Sequence, residues 1–161
     1  KKKKAKKSAG IVKGIPTSLG ADVLRLWVAS SDYTQDVNMG PETISRASGQ
    51  YRKIRNTLRF IIGCLNDWDC SFDFMSKDTI VVREKNENER KISLNLADRY
   101  MLHLQNAFNR DISDAYDRLA FSQAMSIVNH FINTKLSAFY LDTSKDRLYA
   151  DGKLSDSRRA A

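Results

Sequence analysis

The sequence predicts an all-α chain folded as an antiparallel bundle of helices. Three observations predict it. The 161 residues include only two Pro and seven Gly, so long stretches run without a helix breaker. Apolar residues recur at helical spacing in three separate stretches. Each stretch presents one apolar stripe, and such stripes are buried only by packing on one another. A hydrophobic fraction of 42% in a chain of this length suits one domain with a core.

The elements follow in order. Residues 1–19 read as a basic extended tail. Lys1, Lys2, Lys3, Lys4, Lys6, Lys7 and Lys13 have no acidic residue among them, and Gly10, Gly14 and Pro16 break any helix they start. Val23, Leu24, Leu26, Trp27 and Val28 form a short apolar entry helix, ended by Ser30, Ser31 and Asp32. Thr34 to Gly40 is a loop, and Pro41 is placed as the first residue of the next helix. From Pro41 to about Asn66, Ile44, Tyr51, Ile54, Leu58, Ile61, Ile62 and Leu65 mark one face. Arg52, Arg55 and Arg59 share another.

Residues 67–93 change character. Asp67 to Asp73 is acidic and aromatic, Thr79-Ile-Val-Val82 has strand character, Lys85-Asn-Glu-Asn88 that of a turn, and Arg90 to Ser93 that of a returning strand. A small β-hairpin and a mobile loop fit this insertion equally. Leu96, Tyr100, Leu104, Phe108 and Ile112 then repeat every four residues. Met101 and Ala115 widen that stripe, and Asn95 is placed as N-cap. Phe121, Ala124, Met125, Val128, Phe131, Ile132, Leu136 and Phe139 mark the last long helix. It continues or restarts through Ser137 to Tyr149 and ends at Asp151-Gly152. Residues 20–151 are thus the helical body, and 152–161 a polar, fraying C-terminal tail.

The net charge of +8 belongs to the leading tail. Of 27 basic residues seven precede Gly20, leaving 20 against 19 acidic ones. A lysine run is either solvated and disordered or laid along polyanion phosphates, and the two are evenly matched here. No apolar stretch backs a membrane role for it, and none is long enough to span a bilayer. The first residues lack the apolar segment of a secretory signal and are too lysine-pure for a mitochondrial transit peptide. The chain does not open on Met, so it is expected to be processed or to be part of something longer. Cys64 and Cys70, with His103 and His130 elsewhere, make no metal-ligand spacing. Reduced thiols are expected, with no metal and no cofactor. No phosphate-cradling G-x-x-x-x-G-K-[ST] loop and no Gly-rich strand-to-helix turn occurs, so this chain is not expected to catalyse.

Several blocks taken in order carry a resemblance. They are Ala21-Asp-Val-Leu-Arg-Leu-Trp-Val-Ala-Ser-Ser-Asp-Tyr33, Asp36-Val37, Gly40-Pro41-Glu42, Tyr51-Arg-Lys-Ile-Arg-Asn-Thr-Leu-Arg-Phe60, Asp98-Arg-Tyr-Met-Leu-His-Leu104, Leu136-Ser-Ala-Phe-Tyr-Leu141 and Lys145-Asp-Arg-Leu-Tyr149. Over roughly residues 20–149 the chain resembles class I isoleucyl-tRNA synthetases of the bacterial and organellar type. It resembles only their junction segment and anticodon-binding helical bundle. The resemblance implies that the bundle packs against the anticodon arm of a tRNA, with the entry helix supporting the inner stem. The His-Ile-Gly-His and Lys-Met-Ser-Lys-Ser type motifs of such enzymes do not occur. Pro16-Thr-Ser-Leu-Gly20 only echoes the end of the second, without its lysines. The insertion at 67–93 departs from the family pattern, so the resemblance implies nothing about it.

Candidate RNA-binding residues are the cations. Arg52, Lys53, Arg55 and Arg59 offer donors to phosphate oxygens, and Arg binds them bidentately. The competing reading has these arginines locking the bundle against neighbouring carboxylates. Lys145 and Arg147 are similar candidates, with Asp142 and Asp146 close enough to neutralise them. The leader lysines would add salt-dependent, sequence-blind affinity. Trp27, Tyr33 and Tyr149 are stacking candidates, for which core or junction roles are the stronger reading. Three functions stay open. One is a non-catalytic RNA-binding module of translation, bound to a tRNA arm or, through its tail, to ribosomal RNA beside ribosomal proteins. An organelle such as the mitochondrion is its expected home, the cytoplasm the alternative. The second is an excerpt of an active isoleucyl-tRNA synthetase. The third is a scaffold that has lost RNA binding.

Overall fold

The computed structural model describes residues 19–66, 71–76, 78–83, 89–153 and 155–161. Among them lie six α-helices, one π-helical segment and one three-stranded antiparallel sheet. The chain divides into two compact units, Lys1–Lys53 and Ile54–Ala161, with the boundary inside a continuous helix.

The first unit holds α1 (Ala21–Ser30) and the start of α2 (Pro41–Cys64). The serines that end α1 do so with their hydroxyls. Ser30 Oγ donates to the Leu26 carbonyl at 2.7 Å and Ser31 Oγ to that of Trp27 at 2.8 Å, satisfying carbonyls of the last turn. Asp32 Oδ1 then accepts from Thr34 N and Oγ1 at 3.0 and 2.7 Å and turns the chain. Pro41 opens α2 as expected, because its fixed φ suits a first helical position. Val23, Ile44, Ala47 and Ser48 are the buried residues of these two helices before Lys53.

The second unit is built around α3 (Leu96–Asp117). Asn95 caps it through a full capping box: its side chain accepts from Asp98 N at 2.8 Å, and Asp98 Oδ2 accepts from Asn95 N at 3.2 Å. At the other end Leu119, with φ 56°, makes the left-handed reversal, and Ala120 N donates to the Ala115 carbonyl at 2.8 Å. The chain returns as α4 (Phe121–His130), a π-helical segment (Phe131–Leu141) and α5 (Lys145–Ala150). Ring pairs show the return to be antiparallel. Tyr116 meets Phe121 at 5.8 Å, Phe108 stacks on Phe131 at 4.2 Å and Tyr100 meets Phe139 at 5.7 Å. One partner's number falls as the other's rises. The second half of α2 joins through Thr57 Oγ1, 3.4 Å from Ser137 Oγ, and through Phe60, edge-on to Tyr149.

The sheet corrects the all-α expectation. β1 (Ser71–Ser76), β2 (Thr79–Arg83) and β3 (Glu89–Ser93) pair in that order, with Phe72 opposite Val82, Ile80 opposite Ile92 and a bulge between Phe74 and Ser76. So the insertion is neither a loop nor a single hairpin. Its period of two is what makes it a sheet: Ile80, Val82 and Ile92 point inward and, with Leu94, form a core beneath Leu102 and Ala160. On the opposite face Arg83 bridges Asp73 at 2.6 Å and Glu89 at 2.7 Å across the strands. The expected turn at 85–88 and the start of the acidic stretch at 67–70 lie outside the described residues.

Two further expectations change. Residues 156–160 do not fray: α6 (Asp156–Ala160) packs on β3, and Ala160 lies against the sheet core. The α2 stripe is also wider than the line it buries. Leu58, Ile62 and Leu65 are 51, 68 and 52% exposed, whereas Thr57 is buried and Phe60, Ile61 and Cys64 line a cavity of about 660 Å³.

Candidate nucleic-acid interface

The seven leader lysines, Lys1, Lys2, Lys3, Lys4, Lys6, Lys7 and Lys13, lie outside the described residues. Arg52 and Lys53 are exposed on α2 in the first unit, and Arg55 and Arg59 are exposed on α2 in the second. Arg52 Nε reaches only the Ser48 carbonyl, at 3.4 Å. Among the described residues no carboxylate lies within ion-pair distance of any of the four. Elsewhere the arginines do find acids: Arg25 pairs with Asp22, Arg99 with Asp78 and Arg118 with Asp114. The helix sequence explains the contrast. From Pro41 to Cys64 the only acid is Glu42, in the first turn, while Arg46, Arg52, Lys53, Arg55 and Arg59 follow. Among the described residues the cations of α2 beyond its first turn thus have no carboxylate to lock against.

Lys145 and Arg147, two residues apart in sequence, behave differently. Lys145 Nζ pairs with Asp142 at 2.6 Å on the surface, and that hydrogen bond holds its ammonium above the ordinary lysine range. Arg147 turns inward. Its Nη2 and Nη1 donate to Asp98 Oδ1 and Oδ2 at 2.6 and 3.0 Å, and the Asp98 side chain is 2% exposed. Tyr140 Oη lies 3.0 Å from Asp98 Oδ1 and 2.8 Å from the Ala161 carbonyl oxygen, two acceptors for its one proton. Burial, reinforced by the charge of Asp98, pushes the Tyr140 hydroxyl far above its ordinary value. The Asp98 hydrogen bond likewise raises Arg147. So Arg147 sits in a buried ion pair that ties α3, the π-helical segment and α5 together, apart from the exposed cations. The sequence shows the Asn95-to-Asp98 box but not this node, because its members are 42 and 49 residues apart.

The aromatic candidates also separate. Tyr33 and Tyr149 are largely exposed, Trp27 half-buried. The cavity beneath α2 is walled by apolar side chains, among them Phe60, Met101, Phe108 and Leu136. Among the described residues no group of three His, Cys, Asp or Glu is placed to hold a metal ion, and no helix is long and apolar enough to cross a membrane. Cys70 lies outside the described residues.

Comparison with known proteins gives these elements a family. Residues 98–161 match the family described as the anticodon-binding domain of tRNA ligase. The isoleucine–tRNA ligase of Desulfotalea psychrophila is 41% identical over 162 residues, covering 99% of this chain and 16% of the relative. That of Mesoplasma florum is 42% identical over 87% of the chain and 14% of the relative. That of Gloeobacter violaceus is 40% identical over 88% and 13%. The chain spans about a seventh of the length of the curated relatives it matches. Since the first alignment takes in 99% of the chain, it extends well beyond the expected body at 20–151. Its helical core, its order of motifs and its similarity over nearly its whole length agree: the chain belongs to the isoleucine–tRNA ligase family, as the part that carries the anticodon-binding domain.

Proposed function

We propose that this chain grips the anticodon arm of a tRNA through the exposed Arg55 and Arg59 of α2, as part of a longer isoleucine–tRNA ligase. The observation that carries the proposal is that these two arginines of the second unit are exposed and without a carboxylate partner among the described residues, on a chain of this family. Guanidinium and ammonium groups left in water keep their capacity for phosphate oxygens, and on binding they release counterions from the RNA. Arg147 has no part in this, because its donors are spent on Asp98. The ligation step is assigned to the portion of the relatives' length that this chain does not span.

The reading as a ribosomal component draws on the leader lysines alone, while the named relatives are ligases. An organellar home is proposed on the bacterial character of the sequence, with the cytoplasm as the alternative, and cell fractionation tests it. The function itself is tested by titrating the chain with an anticodon stem-loop RNA at several salt concentrations. Replacing Arg55 and Arg59 by Ala is expected to weaken binding at low salt while leaving the circular dichroism spectrum unchanged. Unaltered affinity in that variant would exclude these two arginines.

A further inference from the structure

Tyr149 lies in the last turn of α5 with 68% of its surface exposed. Its ring is braced rather than covered. Phe60 of α2 approaches it at 6.2 Å between centroids with the planes at 75°, an edge contact that leaves a ring face open to solvent. Phe60 is preceded in α2 by exposed Arg59 and, one turn earlier, by exposed Arg55 and Asn56. On the α5 side the cations are already engaged: Lys145 is paired with Asp142 and Arg147 is held by Asp98. A nucleic-acid strand passing this point therefore finds its cations without acid partners on α2, at Arg55 and Arg59. An uncharged base needs no cation, and an open aromatic face is a stacking surface for it.

We infer that Tyr149 is a stacking platform for an unpaired base of the bound RNA, with the backbone of that nucleotide on the Arg55 and Arg59 side. The inference rests on the anticodon-arm reading above and deepens it. It assigns the RNA class, a loop with unstacked bases, and the residue that separates loop from duplex. A paired base keeps its faces inside the helix and has none to offer. The other exposed rings among the described residues of the second unit pair away from α2: Phe72 meets Phe74, Tyr100 meets Phe139 and Tyr116 meets Phe121. Tyr149 meets a ring of α2 itself.

The test compares two RNAs on the full chain: an anticodon stem-loop carrying a fluorescent purine analogue in its loop, and a fully paired duplex of equal length. Tyr149→Ala is expected to weaken stem-loop binding roughly tenfold and to abolish quenching of the analogue, with duplex binding unchanged. Tyr149→Phe is expected to keep both, since the stacking face survives. The Phe variant also guards against misfolding of the Ala variant, because it retains the contact with Phe60. Equal loss for stem-loop and duplex would overturn the inference, as would unchanged binding and quenching by Tyr149→Ala, the result expected if the ring seats a protein segment instead. Wild-type chain that binds neither RNA in dilute salt would overturn the anticodon-arm reading itself, and this inference with it.

Discussion

Asp98 accepts hydrogen bonds from Arg147 Nη1 and Nη2, Tyr140 Oη and Asn95 N, so one carboxylate holds four donors from two elements and a loop. Breaking a buried ion pair from one side leaves a charge without a partner, which costs more than the pair contributes. Asp98→Asn is therefore expected to lower stability by about 3 kcal/mol in urea unfolding, with Asp98→Leu plus Arg147→Met losing less than the single change. A cost near zero would show that the pair is open to water. Tyr140 adds a pH dependence whose sign follows from its raised pKa. Below the ordinary tyrosine value of about 10 the hydroxyl is neutral in both states and its contribution is complete. Above it the unfolded chain ionises first, so stability falls as pH rises. Tyr140→Phe is expected to make that alkaline fall shallower, as read by thermal unfolding from neutral pH upward. At this scale the sequence was only partly legible. Arg147 looks like any surface cation of the stretch Lys145-Asp-Arg-Leu-Tyr149 until folding brings Asp98 to it.

Helices were read well where a local signal fixes them. The Asn95 box lies within four residues, and its removal by Asn95→Ala is expected to cost about 1 kcal/mol, measurable as a lowered urea midpoint at constant slope. The face of a helix was read less well. Leu96, Tyr100, Leu104, Phe108 and Ile112 advance by four residues, and each step overshoots one turn by about 40°. The stripe therefore winds away from the partner helix. Leu96 ends 74% exposed, and Met101 and Ala115 are buried instead. The π-helical stretch shifts faces again, placing Leu136, Tyr140 and Leu141 on the cavity. The sheet was half legible. Thr79-Ile-Val-Val82 has β-branched residues in a run, whereas Ser71-Phe-Asp-Phe74 shows only a short alternation beside acidic residues.

Over the whole molecule the net charge of +8 hides two populations: lysines of the leader, and cations of a body in which several arginines, among them Arg25, Arg83, Arg99, Arg118 and Arg147, have acids beside them. Only a subset is left to meet a polyanion. If Arg55 and Arg59 each contact a phosphate, replacing both by Ala is expected to lower the slope of log affinity against log salt by about 2. Arg147→Met in turn is expected to lower stability while leaving that slope alone. The pair of measurements separates a cation that binds from one that folds. The motif blocks themselves are chiefly packing seams. Thr57 meets Ser137, Phe60 meets Tyr149, and Asp98 meets Tyr140 and Arg147, each joining one block to another.

By itself the sequence determined the long helices, the N-cap of α3, the place of the insertion and the family, because propensity, capping and motif order act over a few residues or accumulate along the chain. Tertiary structure alone decided which cations stay in water, which arginine is taken into a buried pair, and that the insertion closes as three strands with α6 against its edge. Those outcomes depend on carboxylates, hydroxyls and strands tens of residues away, and a one-dimensional pattern carries no measure of that distance.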